Sequence, residues 1–135
     1  MNMVQKTLFM IKPDATGDNH IGEILLMVEK NGFVIENMKI FKMDHALIDE
    51  FYAEHVGKGF YPEHSEFMRS GKIVGVILSR EDAVLKLREL VGATDFTQAS
   101  LGTVRSIFGR SKGENAVHAS DSIESAEREI GLIFK

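Results

Sequence analysis

Apolar positions along the chain follow two rhythms, and the switches between them mark out the elements. Residues 7–11 (Thr-Leu-Phe-Met-Ile) form a nearly unbroken apolar run, the pattern of a central strand covered on both faces, and Pro13 ends it. Ile21, Ile24, Leu25 and Val28 then recur at helical spacing before the left-handed stop signal Asn31-Gly32, which predicts a helix over 19–30. Phe33-Val34-Ile35 opens a second strand that runs to about Met43. Leu47, Ile48 and Phe51 predict a helix over 46–56, broken by Gly57-Lys58-Gly59, and a short helix follows Pro62. Residues 73–78 (Ile-Val-Gly-Val-Ile-Leu) are the strongest strand, rich in β-branched side chains and preceded by the turn signal Ser70-Gly71. Asp82 reads as the cap of a helix with Val84, Leu85, Leu87 and Val91 on its apolar face, closed by Gly92.

From Gly92 to Asn115 the chain turns polar, and a stretch this long between regular elements reads as a functional loop. Residues 116–119 form a short strand, Ser120-Asp121-Ser122 is a run of capping residues, and 125–133 is a closing helix with Ala126, Ile130 and Ile133 on one face. The order is β-α-β, then helices, then β-α-β. Two such split units in one four-stranded antiparallel sheet, with helices packed on one face, give an α/β (α+β) sandwich of the ferredoxin-like kind. Fold alone implies no activity.

Composition narrows the function classes. A chain of 135 residues fits a single domain, 1–135, and 44% hydrophobic with 27% charged residues is a globular balance that argues against disorder. The absence of cysteine excludes a disulfide scaffold, a thiolate metal site and a thiol nucleophile, and suits a reducing cytoplasm. A net charge of -4 supplies no global attraction for a nucleic acid backbone, so any phosphate chemistry must come from a local cluster. The N-terminal residues show no leader pattern, and no apolar stretch approaches the ~18 residues of a membrane span; a cytoplasmic protein with no membrane partner is expected.

His118 is the first candidate for chemistry. It ends a strand just before the capping run, with Glu129 on the following helix, so a carboxylate can hold one ring nitrogen and leave the other free to attack, with Ser120 supporting the contact. The same local pattern also describes a strand-end histidine satisfied by a carboxylate, and both readings stand at this point. Lys12, Arg88 and Arg105 would clamp anionic oxygens if they converge, with hydroxyls from Thr94 and Thr103; taken singly, each is an ordinary surface cation. Phe60 and Tyr61 lie in a glycine-bearing break, where a ring packs beneath a loop or stacks on a flat ligand, and Tyr52 and His55 share a helical turn that lines a core or a pocket. His20, His45 and His64 show no metal-ligand spacing, and no Walker or dinucleotide glycine motif is present.

Asn115-Ala116-Val117-His118-Ala119-Ser120-Asp121-Ser122, continued by Glu124-Ser125-Ala126-Glu127-Arg128-Glu129-Ile130, resembles the active-site signature of nucleoside diphosphate kinases. The resemblance spans nearly the whole chain, through Met10-Ile11-Lys12-Pro13-Asp14, Phe51-Tyr52-Ala53-Glu54-His55, Phe60-Tyr61-Pro62, Met68-Arg69-Ser70-Gly71, Gly92-Ala93-Thr94 and Gly102-Thr103-Val104-Arg105. It implies that the pros nitrogen of His118 takes the terminal phosphate of a nucleoside triphosphate and passes it to a nucleoside diphosphate in a ping-pong exchange, with Glu129 and Ser120 orienting the ring. By the same resemblance Lys12, Tyr52, Arg88, Thr94 and Arg105 hold the phosphates, Lys12 and Asn115 reach the ribose, and Phe60 stacks on the base with broad base tolerance. Magnesium arrives with the nucleotide, held by its phosphates and not by a protein cage, with Asp121 in reach through water. Family members assemble as tetramers or hexamers, so a homo-oligomer is implied. Ala119, Ser106-Ile107, Leu101, Lys72 and His64 stand where the family usually has other residues, while the catalytic set is intact. Two other classes share the architecture: a noncatalytic ligand-binding module, which predicts binding without transfer, and a nucleic-acid-binding sheet, against which the acidic balance counts.

Overall fold

Val4–Ile11 forms β1 in the computed structural model, which describes residues 3–135. Met1 and Asn2, the start of the segment read as lacking a leader pattern, lie outside the described residues. β1 outruns its apolar part because its whole length pairs antiparallel with β3 (Ile73–Glu81), from Val4 opposite Glu81 to Ile11 opposite Val74. β2 (Val34–Phe41) pairs with the other edge of β3, with a bulge between Ile35 and Asn37, and the three-residue β4 (Val117–Ala119) pairs with β1. The sheet order β2-β3-β1-β4, antiparallel at each pairing, is that of the ferredoxin-like split β-α-β fold expected from the element order.

Helices cover both faces of the sheet, which corrects the expectation of one helical face. Phe9, Ile11, Val76 and Leu78 pack with Ile24 and Val28 of α2 (Ile21–Lys30) and with Leu87 and Val91 of α5 (Ala83–Val91). Leu8, Met10 and Ile73 point the other way, into a second core with Ile48 and Phe51 of α3 (His45–Phe51), Met68 of α4 (Tyr61–Arg69) and Ile133 of α7 (Ile123–Ile133). Two covers are what the apolar run of β1 demands, since successive side chains of a strand point to opposite faces.

Local differences from the sequence reading have local causes. Pro13 ends β1 and also begins a short helix, α1 (Pro13–Gly17), where its missing N–H costs nothing in the first turn. The next helix begins at Ile21 because Asn19 holds a left-handed φ of 62°. The helix expected over 46–56 divides at Tyr52 into α3, whose Asp44 cap accepts from Leu47 N–H, and a 3₁₀ turn, Ala53–His55. The polar stretch before Asn115 contains a 3₁₀ turn, Phe96–Gln98, and a further helix, α6 (Val104–Phe108), capped by the Thr103 hydroxyl. Asp82 precedes α5 as expected but is left-handed at φ 50° and makes no side-chain capping bond, whereas Ser122 caps α7 by accepting from Ser125 N–H at 3.0 Å. Among the described residues no helix is long and apolar enough to cross a membrane.

Candidate active site

β4 is only three residues long, yet its alternation decides where the chemistry lies. Val117 and Ala119 are buried in the first core, so His118 between them faces the opposite side, toward α3 and α7. Its ring meets Phe51 edge-on at 5.1 Å between centroids, and its Nε2 lies 2.7 Å from Oε1 of Glu129. The same carboxylate oxygen accepts from the Ser120 hydroxyl at 2.8 Å. Burial on its own would raise the Glu129 carboxyl, but the bonds from His118 and Ser120 and the charges of His118 and Arg128 outweigh it and hold the group below its usual range. An ionised Glu129 keeps the imidazole proton on Nε2, which leaves Nδ1 as the basic nitrogen. Ala119 follows in ordinary strand conformation, outside the positive-φ residues.

His118 opens onto a cavity of about 500 Å³ that is also lined by Tyr52, Arg88, Thr94, Arg105 and Asp121. Arg105 is buried; it donates to the carbonyls of Val117 (2.9 Å) and Gly92 (3.2 Å), while its Nε is buried with no partner. Burial, and then the neighbouring charge of Arg88, lower its pKa to about 10. Arg88, more exposed, pairs with Asp121 at the rim. Burial raises the Tyr52 hydroxyl well above its ordinary range, reinforced by the charge of Glu129, so it stands beside His118 as a neutral hydroxyl. Two guanidinium groups, one with a buried donor unspent, make this a receptacle for an anion.

A second cavity, of about 590 Å³, shares Tyr52, His55 and Thr94 with the first and continues to Phe60, His64 and Asn115. The ring of Phe60 is 55% exposed, which is not the packing of a core residue, so of its two readings the flat-ligand one gains. His64 lies edge-on to Tyr52 at 4.7 Å, and burial, with Lys12, His55 and His118 nearby, lowers its pKa to about 4, leaving a neutral imidazole in this wall. Lys12 is bonded to the wall of the second cavity. Its buried Nζ donates to Asn115 Oδ1 (2.8 Å) and the Gly113 carbonyl (3.0 Å), and burial lowers its pKa to about 8. Asn115 in turn donates to the carbonyls of Lys112 (2.9 Å) and Thr94 (3.3 Å).

Eleven of the positions singled out in the sequence lie together: His118, Glu129, Tyr52, Arg88, Thr94, Arg105 and Asp121 around the first cavity, Phe60 and Asn115 on the second, with Lys12 bonded to Asn115 and Ser120 bonded to Glu129. Two others do not join them: the Thr103 hydroxyl caps α6 and donates to the Ser100 carbonyl, and Tyr61 is buried in the second core with its hydroxyl on Asp49. The sequence reading missed Asp14, whose buried carboxylate reaches across to the backbone ahead of β4. Its signals in the sequence were its place at the end of the Met10–Asp14 motif and its position two residues after Lys12, and neither gave it a role.

A split β-α-β sandwich here carries a carboxylate-held imidazole beside a cavity lined by two guanidinium groups, an arrangement suited to an anionic ligand. The family described as nucleoside diphosphate kinase matches residues 5–135. The nucleoside diphosphate kinase of Bdellovibrio bacteriovorus is 48% identical over 98% of this chain and 94% of the relative, and that of Sorangium cellulosum 45% identical over 97% and 91%. Among solved structures, the Aquifex aeolicus nucleoside diphosphate kinase superposes with a TM-score of 0.95 at 41% identity, covering 98% of this chain and 96% of that one. A Halobacterium salinarum nucleoside diphosphate kinase, solved in complex with CDP, superposes with a TM-score of 0.95 at 35% identity over 98% and 89%. The chain belongs to the nucleoside diphosphate kinase family, enzymes that transfer phosphate between nucleotides.

Proposed function

We propose that the chain moves the terminal phosphate of a nucleoside triphosphate to a nucleoside diphosphate in two half-reactions through His118. The observation that carries this is the Nε2–Glu129 bond at 2.7 Å, which fixes the tautomer and leaves the Nδ1 lone pair for attack. In the first half-reaction Nδ1 attacks the γ-phosphorus, the N–P bond forms, the bond to the β,γ-bridging oxygen breaks, and the nucleoside diphosphate leaves with that oxygen. The second half-reaction is the reverse with a new acceptor. The proton on Nε2 stays with the Glu129 hydrogen bond throughout, and Ser120 holds the carboxylate in place.

Phosphoryl transfer needs positioning and neutralisation of spread-out negative charge more than covalent help. Arg105, Arg88 and Lys12 supply that charge, Thr94 and Tyr52 supply hydroxyl donors, and Asn115 holds Lys12 toward the site. Phe60 gives the base a stacking face that tolerates every base, so Phe60→Ala is expected to weaken nucleotide binding about equally for purines and pyrimidines, by roughly 1–3 kcal/mol in titrations. The CDP found on the Halobacterium relative supports nucleotides as the ligands. A magnesium ion would come with the nucleotide, held by its phosphates, with Asp121, one of the carboxylates lining the first cavity, in reach through water. When bound, magnesium neutralises charge on the phosphate oxygens. The chain is further proposed to work as a homo-oligomer, on the exposed apolar outer strand β2.

The test is to mix the purified chain with magnesium and γ-labelled ATP, isolate the protein, and chase with GDP. An acid-labile, alkali-stable label that moves to GTP is expected. ATP bound without label would leave a nucleotide-binding module and overturn the transfer reading.

A further inference from the structure

Ala116, the residue before β4, holds a φ of 75°, and Val117 N–H donates to the Asn115 carbonyl at 2.9 Å across it. This is a γ-turn of the positive-φ kind, rare and strained, and Ala116 has no room to relax because it is fully buried. The strain persists because both backbone groups of Ala116 are gripped by the turn at the end of β1. Its carbonyl accepts from Lys12 N–H at 2.8 Å, and its N–H donates to Asp14 Oδ2 at 3.0 Å. Just beyond the turn on either side, Asn115 meets the Lys12 ammonium, and the Val117 carbonyl receives Arg105.

Asp14 spends only half of its acceptor capacity on this grip. Its carboxylate is buried and Oδ1 has no partner, a cost that calls for a reason. The charged and titratable groups that face Lys12 are Asp14 from α1, Glu114 from the segment ahead of β4, Arg105 from α6 and His64 from α4; of the two carboxylates Asp14 is the stronger influence. We propose that Asp14 is a positioning residue of this site: its carboxylate clasps Ala116 in the left-handed turn that aims Asn115 at Lys12 and delivers His118 to the cavity. Because Lys12 and Asp14 grip the same residue from one turn, the carboxylate also places a negative charge near the Lys12 ammonium and favours its protonated form. The catalytic consequence rests on the proposed function, whereas the clasp and the charge are properties of the folded chain alone.

Two measurements on the full chain test it. In the first, the ε-carbon of Lys12 is followed by NMR across the pH range. Asp14→Asn keeps an acceptor for Ala116 N–H but removes the negative charge, so the Lys12 midpoint is expected to fall below its wild-type value of about 8, and the alkaline limb of kcat/KM is expected to move down with it. The second is kcat/KM at neutral pH. Asp14→Ala releases the turn and is expected to lose on the order of a hundredfold, and adding Ala116→Gly, which accepts a positive φ freely, is expected to recover part of that loss. A purely structural role for Asp14 moves the melting temperature but leaves the Lys12 midpoint in place. An unshifted midpoint in Asp14→Asn overturns the charge role, and wild-type kcat/KM in Asp14→Ala overturns the clasp. Should Asp14→Ala fail to fold, rescue of folding by Ala116→Gly in the double variant supports the clasp and the absence of rescue overturns it, while the Asp14→Asn titration decides the charge. A wild-type chain that takes no label from ATP refutes the proposed function instead, and the Lys12 titration then still reads Asp14 on its own.

Discussion

The His118→Asn substitution keeps a polar group at the inner ring position in a smaller side chain with no basic nitrogen, so it separates chemistry from binding. The variant is expected to take no label from γ-labelled ATP while its ADP affinity, by calorimetry, stays within a few-fold of wild type. Lys12 gives a second handle, because activity and stability respond to its proton in opposite senses. With its pKa lowered from 10.5 to about 8, Lys12 loses its charge above pH 8, and kcat/KM is expected to fall along that limb. Between about 8 and 10.5 the unfolded chain holds more protons at this position than the folded one, so the Lys12 contribution makes stability rise with pH over the same window. Denaturant midpoints measured across that window for wild type and Lys12→Met isolate the contribution; a wild-type curve that falls relative to the variant would show the sign to be wrong. At this scale the site was largely legible, since His118 at a strand end and Glu129 one helix later are local facts. Asp14 was not, because its meaning lies in a bond to a backbone group 102 positions away.

Elements position these residues through a few close approaches. Gly92 closes α5, as its place after Val91 suggested, with a φ of 89°. It does more than end a helix. A Cβ at Gly92 would lie 2.6 Å from the Thr103 hydroxyl that caps α6, and the Gly92 carbonyl accepts from Arg105, whose guanidinium lines the first cavity. Gly92→Ala therefore meets both a backbone penalty and a clash that pushes α6 outward. It is expected to cost roughly 1–3 kcal/mol in chemical denaturation, and, because Arg105 rides on α6, to raise KM for nucleotides by more than it lowers kcat. Equal KM values would detach the α5–α6 approach from the site. The left-handed stop at Gly92 was readable because it is local; the close approach needed the packing of α6, a five-residue helix inside a stretch that reads as loop. Short helices such as α1 and α6 escape periodicity because they carry too few turns to repeat a pattern; what marks them is Pro13 in the first turn of α1 and the Thr103 cap of α6.

At the scale of the molecule, the order of the elements carried the split β-α-β sheet, and the apolar run of β1 already required a cover on each face. Of the sheet's two edges, β2 and the three-residue β4, the longer is β2. It pairs with β3 on one side only, and among its residues Val34, Met38 and Ile40 are 57%, 46% and 61% exposed. An unpaired edge is a template for another strand, and proteins that remain single blunt it with charge, proline or a bulge. Here the bulge lies at one end, between Ile35 and Asn37, leaving the run from Met38 to Phe41 regular and apolar at alternate positions. A two-fold pairing of β2 with its copy would bury these side chains and satisfy the free edge with the same groups on both partners, which is the geometry a self-complementary contact needs. Sedimentation at micromolar concentration is therefore expected to give a multiple of the 15.1 kDa chain mass. Placing lysine at Val34 and Ile40 together sets like charges against each other across that contact, and is expected to lower the sedimenting mass while leaving the two cavities, which lie toward β4 and the far helices, able to bind ADP. A wild-type chain that sediments at 15.1 kDa, or a double variant with the wild-type mass, would remove β2 as the assembly edge.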